Sequence, residues 1–191
     1  MKIKIGVSNR HIHLCKKDFD ELFGSTELSV LRNLSQEGEF ASTLTVSIKT
    51  NKGVLSDVRI IGPLRDRTQV EISRTDAYKL GINPPVRISG DLDNSESVVL
   101  ESEMGSVKVD NCCILAHRHI HMGTKEATEL GYKNGDVVSV KIDGERAGIL
   151  ENVKIRIKDN FKLELHLDTD EANAFLVNNE SVGEVYGRKD N

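Results

Sequence analysis

Alternation of apolar and polar residues at every second position dominates this chain. Thr43-Leu-Thr-Val-Ser-Ile-Lys49, Val54-Leu-Ser-Asp-Val-Arg-Ile-Ile61 and Thr68-Gln-Val-Glu-Ile-Ser73 alternate in the first half. Asp136-Val-Val-Ser-Val-Lys-Ile142, Val153-Lys-Ile-Arg-Ile157 and Phe161-Lys-Leu-Glu-Leu-His-Leu167 do so in the second. Residues i and i+2 of a strand face one side, so each run predicts a half-buried strand. Asn51-Lys-Gly53, Asp143-Gly144 and Asp159-Asn160 supply the turns between them. Helical signals are brief. CKKDFDELFG (Cys15–Gly24) and GTKEATELGY (Gly123–Tyr132) each combine an acidic first turn with a glycine at or near the end. Arg74-Thr-Asp-Ala77 and Asp168-Thr-Asp-Glu171 open one further helix per half, with Asp or Thr available as its cap. The pattern predicts a mainly β chain with short capping helices, arranged as two small β-barrel domains.

The halves are copies. Arg10-His11-Ile12-His13 recurs as Arg118-His119-Ile120-His121, and four of the six histidines sit in these two triplets. Lys17, Asp18, Glu21, Leu22 and Gly24 follow the first triplet as Lys125, Glu126, Glu129, Leu130 and Gly131 follow the second. An internal duplication accounts for both the barrels and the repeated motif. On a strand, each triplet aims two imidazoles at one point, which is half of a metal site.

Duplication also supplies a third donor. Aligning Gln69-Val-Glu-Ile72 with Leu163-Glu-Leu-His-Leu167 across one gap sets Glu71 opposite His166. The candidate ligand sets are then His11, His13 and Glu71, and His119, His121 and His166. Three N/O donors with an open position suit a catalytic zinc rather than a closed structural one. A single HxH more often marks surface or packed histidines; the second copy and the matching third donor favour metal. His117 has no counterpart in the first copy and is left out of the ligand set. Arg65 and Arg67 lie in a turn shortly before Glu71. A guanidinium fork there suits a tetrahedral oxyanion such as phosphate, the alternative being surface pairing with Asp66 or Glu71.

Composition narrows the classes. With 191 residues, a net charge of −4 and 38% apolar residues, the chain reads as an ordinary globular protein. No basic excess suggests nucleic acid, and no apolar run approaches the roughly 20 residues of a membrane span. Cys15, Cys112 and Cys113 form no disulfide framework, which fits a reducing compartment. Adjacent Cys112 and Cys113 read as strand filler, and Cys15 as a small residue at a helix start. The expected location is the cytoplasm.

Six segments resemble one family: VSNRHIHL (Val7–Leu14), LRNLSQEGEFA (Leu31–Ala41), IGPLRDRTQVEISRTDA (Ile61–Ala77), VRISGD (Val86–Asp91), HRHIHM (His117–Met122) and LHLDTDEANA (Leu165–Ala174). Through them the chain resembles the phosphotransacylases of the phosphate propanoyltransferase family. The resemblance implies interconversion of acyl-CoA plus phosphate with acyl phosphate plus free CoA, using two zinc ions between two β-barrels capped by short helices. It implies the ligand sets just given, a phosphate contact at Arg65, and coenzyme A contacts at Ser8, Arg32, Arg59 and Asn173, with His166 beside the cofactor. It also implies a homodimer and an exchanged N-terminal strand, so that residues 1–9 and 117–191 form one barrel and 10–116 the other. Members housed in bacterial microcompartments often carry an amphipathic N-terminal extension; here the first strand starts at Lys2, which implies either a free cytoplasmic member or one that enters a shell by another route.

Attack of phosphate on a thioester requires a held nucleophile, a stabilised oxyanion and a stabilised thiolate, all within reach of Arg65 and metal. No triad is visible, so direct transfer in a ternary complex is expected. The competing readings are a binuclear zinc hydrolase and a non-catalytic metal-binding barrel.

Overall fold

The computed structural model describes residues 1–188. The chain is mostly strand and divides into two compact units, Asn9–Ala116 and Met1–Ser8 with the chain from His117 onward. It opens on β1 (Lys2–Ser8), which belongs to the second of these.

The Asn9–Ala116 unit contains β2 (His11–His13), α1 (Lys16–Phe23), β3 (Val30–Asn33), β4 (Phe40–Lys49), β5 (Val54–Gly62), β6 (Gln69–Glu71), α2 (Arg74–Leu80), β7 (Val86–Arg87), β8 (Glu96–Glu101) and β9 (Ser106–Ala116). Pairing runs β4–β5–β2–β6–β9–β8 and returns to β4, closing a six-stranded barrel. Two short strands are added outside the ring, β3 on β4 and β7 on β9.

The other unit contains β10 (His119–Met122), α3 (Thr124–Leu130), β11 (Val137–Ile142), β12 (Gly148–Ile157), β13 (Glu164–Asp168), α4 (Thr169–Phe175) and β14 (Val182–Arg188). Here β1–β13–β10–β12–β11–β14 is a closed barrel. The two rings are the same ring. Each HxH strand, β2 or β10, runs parallel to one neighbour (β5, β12) and antiparallel to the other (β6, β13). Beyond β6 and β13 come the parallel strands β9 and β1. These last two are exchanged: β1 precedes β2 in the chain yet completes the other ring, and β9 precedes β10 yet completes the first.

Burial explains how the triplets are presented. Ile12 and Ile120, central in each triplet, are fully buried within separate apolar clusters. Their burial turns the flanking histidines to the opposite face of the strand. Leu14 and Met122, directly after the triplets, are equally buried, so each HxH strand is anchored by two large side chains.

The second helix of each copy is capped by the residue two positions after the third donor. Glu71 precedes the cap Ser73, whose Oγ accepts from the Asp76 amide at 3.2 Å. His166 precedes the cap Asp168, whose Oδ1 accepts from the Glu171 amide at 2.8 Å. In the first copy the cap is therefore Ser73, not the Thr or Asp of the repeated step; Asp76 instead closes a capping box from its third helical position.

Two hairpin turns brace the first barrel's helices. Thr50 Oγ1 donates to the Leu80 carbonyl at 2.5 Å, and a side chain at Gly53 would overlap the Lys79 carbonyl. Ser102 Oγ donates likewise to the Leu22 carbonyl at 2.5 Å, with Gly105 against the Glu21 carbonyl. Both glycines are there for close backbone approach. Cys112 and Cys113 are core side chains of β9, and burial pushes the Cys112 thiol up to about 12. Cys15 is the residue before α1.

Candidate metal centres

The donor atoms of His11, His13 and Glu71 lie within 4.8 Å of one another. Strand register places them there: His11 pairs directly across β2–β6 with Glu71, and His13 with Gln69. His11 Nδ1 donates to the Asn9 carbonyl at 2.8 Å, and its Nε2 lies 3.6 Å from Glu71 Oε2. Asn9 accordingly falls with this barrel and not with β1. His13 is 3% exposed, and desolvation holds its imidazole well below the ordinary value. The charges of His11 and Arg65 push the same way, against Glu71. A neutral imidazole is the form that ligates metal.

The donor atoms of His119, His121 and His166 form a second group within the same 4.8 Å limit. His119 pairs directly across β10–β13 with His166, the register that His11 has with Glu71. His119 Nδ1 donates to the His117 carbonyl at 2.8 Å, again the carbonyl two residues earlier. Its Nε2 faces His121 Nε2 at 3.1 Å. Two nitrogens bound tetrahedrally at about 2.0–2.1 Å from a zinc ion would stand about 3.3 Å apart. The observed separation thus fits a shared ion with little adjustment. Burial, and then the neighbouring His166 and His119, hold His121 far below its ordinary value. Its ring stacks on Phe161 at 3.8 Å between centroids.

Sequence reasoning missed the groups that support the donors. Gln69 Nε2 donates to Glu71 Oε1 at 2.5 Å and to Ser89 Oγ at 2.8 Å, while Gln69 Oε1 accepts from the Gly90 amide at 2.7 Å. At the equivalent register, Glu164 Oε2 lies 2.9 Å from His166 Nε2. The two centres therefore each hold one carboxylate: a donor backed by an amide in the first, a backing group beside an imidazole in the second. Alternation was the available signal, since Gln69 and Glu164 stand two residues before the third donor and share its face.

Arg65 lies in the turn after β5, its amide donating to the Leu14 carbonyl at 2.9 Å. Its guanidinium donates to Ser89 Oγ and to Glu39 Oε1, both at 3.2 Å, so its carboxylate partner is neither Asp66 nor Glu71. Arg67 is exposed. Arg59 pairs in register with His11 and donates to the Ser42 and Thr43 carbonyls at 3.0 and 2.9 Å. Arg32 is exposed on β3, in the same unit. Ser8 ends β1 opposite Asp168, and Asn173 is exposed on α4, both in the other unit. His117 turns its ring to the Arg118 carbonyl at 2.9 Å, and neither it nor Cys15 joins a donor group.

Fold and site define a duplicated-barrel protein with one three-donor cluster in each barrel. Residues 4–178 match the family model described as phosphate propanoyltransferase. Proteins named phosphate propanoyltransferase are similar over most of the chain. That of Rhodopseudomonas palustris is 46% identical over 182 residues, 95% of this chain and 80% of its own length. Those of Thermotoga maritima and Citrobacter freundii are 47% and 46% identical over 178 residues each, covering 92% and 93% of this chain and 85% of their own lengths. The chain belongs to the phosphate propanoyltransferase family and is an acyltransferase. No helix among the described residues is long and apolar enough to cross a membrane.

Proposed function

We propose that this acyltransferase moves a propanoyl or acetyl group between coenzyme A and inorganic phosphate, with two zinc ions per chain. One ion is held by His11, His13 and Glu71, the other by His119, His121 and His166. The observation that carries this is the repeated register, His11 on Glu71 and His119 on His166, each bringing three N/O donors together. The donor chemistry is that of an open catalytic zinc site. When bound, zinc supplies Lewis acidity toward a thioester carbonyl and affinity for a leaving thiolate.

The chain's own residues do the rest. Arg65 binds phosphate, its guanidinium held in place by Ser89 and Glu39. Ser8, Arg32, Arg59 and Asn173 contact coenzyme A. A phosphate oxygen forms its bond to the acyl carbon as the carbon–sulfur bond breaks, and the electron pair leaves with sulfur. Transfer is direct. Cys112 and Cys113 are fully buried with raised pKa values, which disqualifies them as acyl carriers.

Thiol release from propanoyl-CoA and acetyl-CoA, compared in phosphate and phosphate-free buffer, tests this proposal. Release is expected only with phosphate and in step with acyl phosphate. Equal release without phosphate would assign a zinc hydrolase instead.

A further inference from the structure

Both HxH triplets follow an arginine, and neither arginine is among the donors. Arg10 Nε donates to both carboxylate oxygens of Asp76, at 3.1 and 3.2 Å. Arg118 Nε lies 2.7 Å from Glu171 Oε1. Asp76 and Glu171 are equivalent: each is the capping-box acid of the helix that follows the third-donor strand. Their second contacts match as well. Asp76 Oδ2 accepts from the Ser73 amide at 3.4 Å, and Glu171 Oε2 from the Asp168 amide at 3.2 Å. The acids are largely buried, at 4% and 18% side-chain exposure, while the arginines are about one-third exposed at 29% and 32%. Burial raises the Glu171 carboxyl, and the Arg118 charge is the leading effect that pulls it back.

We propose that Arg10 and Arg118 are positioning residues that strap each HxH strand to the element carrying its third zinc donor. The path is short. The arginine stands one residue before the first histidine; the acid it grips holds the cap residue two positions after Glu71 or His166. Together with the cross-strand pair His11–Glu71 or His119–His166, this closes a small ring. A closed ring resists strand slippage, and one residue of slip would turn the histidines to the wrong face. A charge-assisted bond to a mostly buried acid is strong enough to matter. The pairing is built twice from sequence-distant partners, which a fortuitous surface ion pair would not be.

This inference rests on the zinc assignment proposed above. Zinc affinity is measured by chelator competition for the wild-type chain and for Arg10→Met, Asp76→Asn, Arg118→Met and Arg10→Lys, with thermal melting of each metal-free form. Arg10→Met and Asp76→Asn should each weaken one ion about ten- to a hundred-fold, the usual cost of losing an outer support. The other ion should be unaffected. Arg118→Met should do the converse. The Arg10→Met/Asp76→Asn pair should be no worse than either single change. Arg10→Lys, keeping the charge without the fork, should fall between and guards against misfolding of the bolder variants. Wild-type affinity for both ions in Arg10→Met or Arg10→Lys overturns the strap, as does weakening of both ions together with a lower melting temperature. A wild-type chain that binds no zinc overturns the zinc assignment itself, and the strap with it.

Discussion

His119→Ala is expected to leave one zinc ion per chain in place of two and to cut acyl transfer roughly a thousand-fold. The metal count follows from geometry, since His119 Nε2 faces His121 Nε2 at 3.1 Å and its ring stacks 5.1 Å from that of His166. Removing it leaves two imidazoles, fewer than the three protein donors of a catalytic zinc site. The activity loss follows from the several kcal/mol that a Lewis acid contributes, at about 1.4 kcal/mol per tenfold. Metal analysis beside initial rates checks both halves. His117→Ala is the matched control, because that ring bonds the Arg118 carbonyl and only the backbone of His117 serves His119. Two zinc ions retained in His119→Ala would remove this residue from the ligand set.

Arg65→Ala carries the second large effect. It should keep both zinc ions and lose about a hundred- to a thousand-fold in kcat/KM for phosphate, the cost of one oriented donor to a reacting oxyanion. The guanidinium sits between Ser89 Oγ and Glu39 Oε1, so its direction is fixed before substrate arrives. It is also near enough to His13 to lower that imidazole's pKa. An anion docked on Arg65 would therefore lie in the neighbourhood of the first donor cluster. Steady-state kinetics with phosphate varied, and metal content measured alongside, test the role. Unchanged phosphate affinity with full activity would exclude it.

Particular residues show what the sequence could and could not reveal. The triplets are legible because a repeated HxH in alternating sequence has one geometric meaning, and the copies checked each other. Glu71 and His166 follow from a one-gap alignment, and the register of β2–β6 and β10–β13 places each directly opposite the first histidine of its triplet. Other strands left weaker signals. β3 is exposed along its whole length and so carries no burial period. β14 includes Gly183 and Gly187, residues that strands usually avoid. β9 spends part of its length in the adjacent cysteines and asparagine of Asp110-Asn-Cys-Cys113, with Asn111 at positive φ.

Supporting contacts were harder still. The arginine before each triplet is plain in the sequence, but its acid lies far along the chain, and only the closed ring brings the two together. The repeated Thr-Asp step masks Ser73 as the cap, although Ser-Arg-Thr-Asp is itself a capping-box pattern. Nothing local could show that Asn9 and His117 supply carbonyls to the first histidines, since every residue has a carbonyl and only the fold aims it.

The most direct measurement is a zinc titration of the metal-depleted chain, with acyl phosphate formation followed from acyl-CoA and phosphate. A two-zinc mechanism predicts negligible transfer without metal and full transfer at two equivalents of zinc per chain. Full acyl phosphate formation by a chain verified to be metal-free would contradict it.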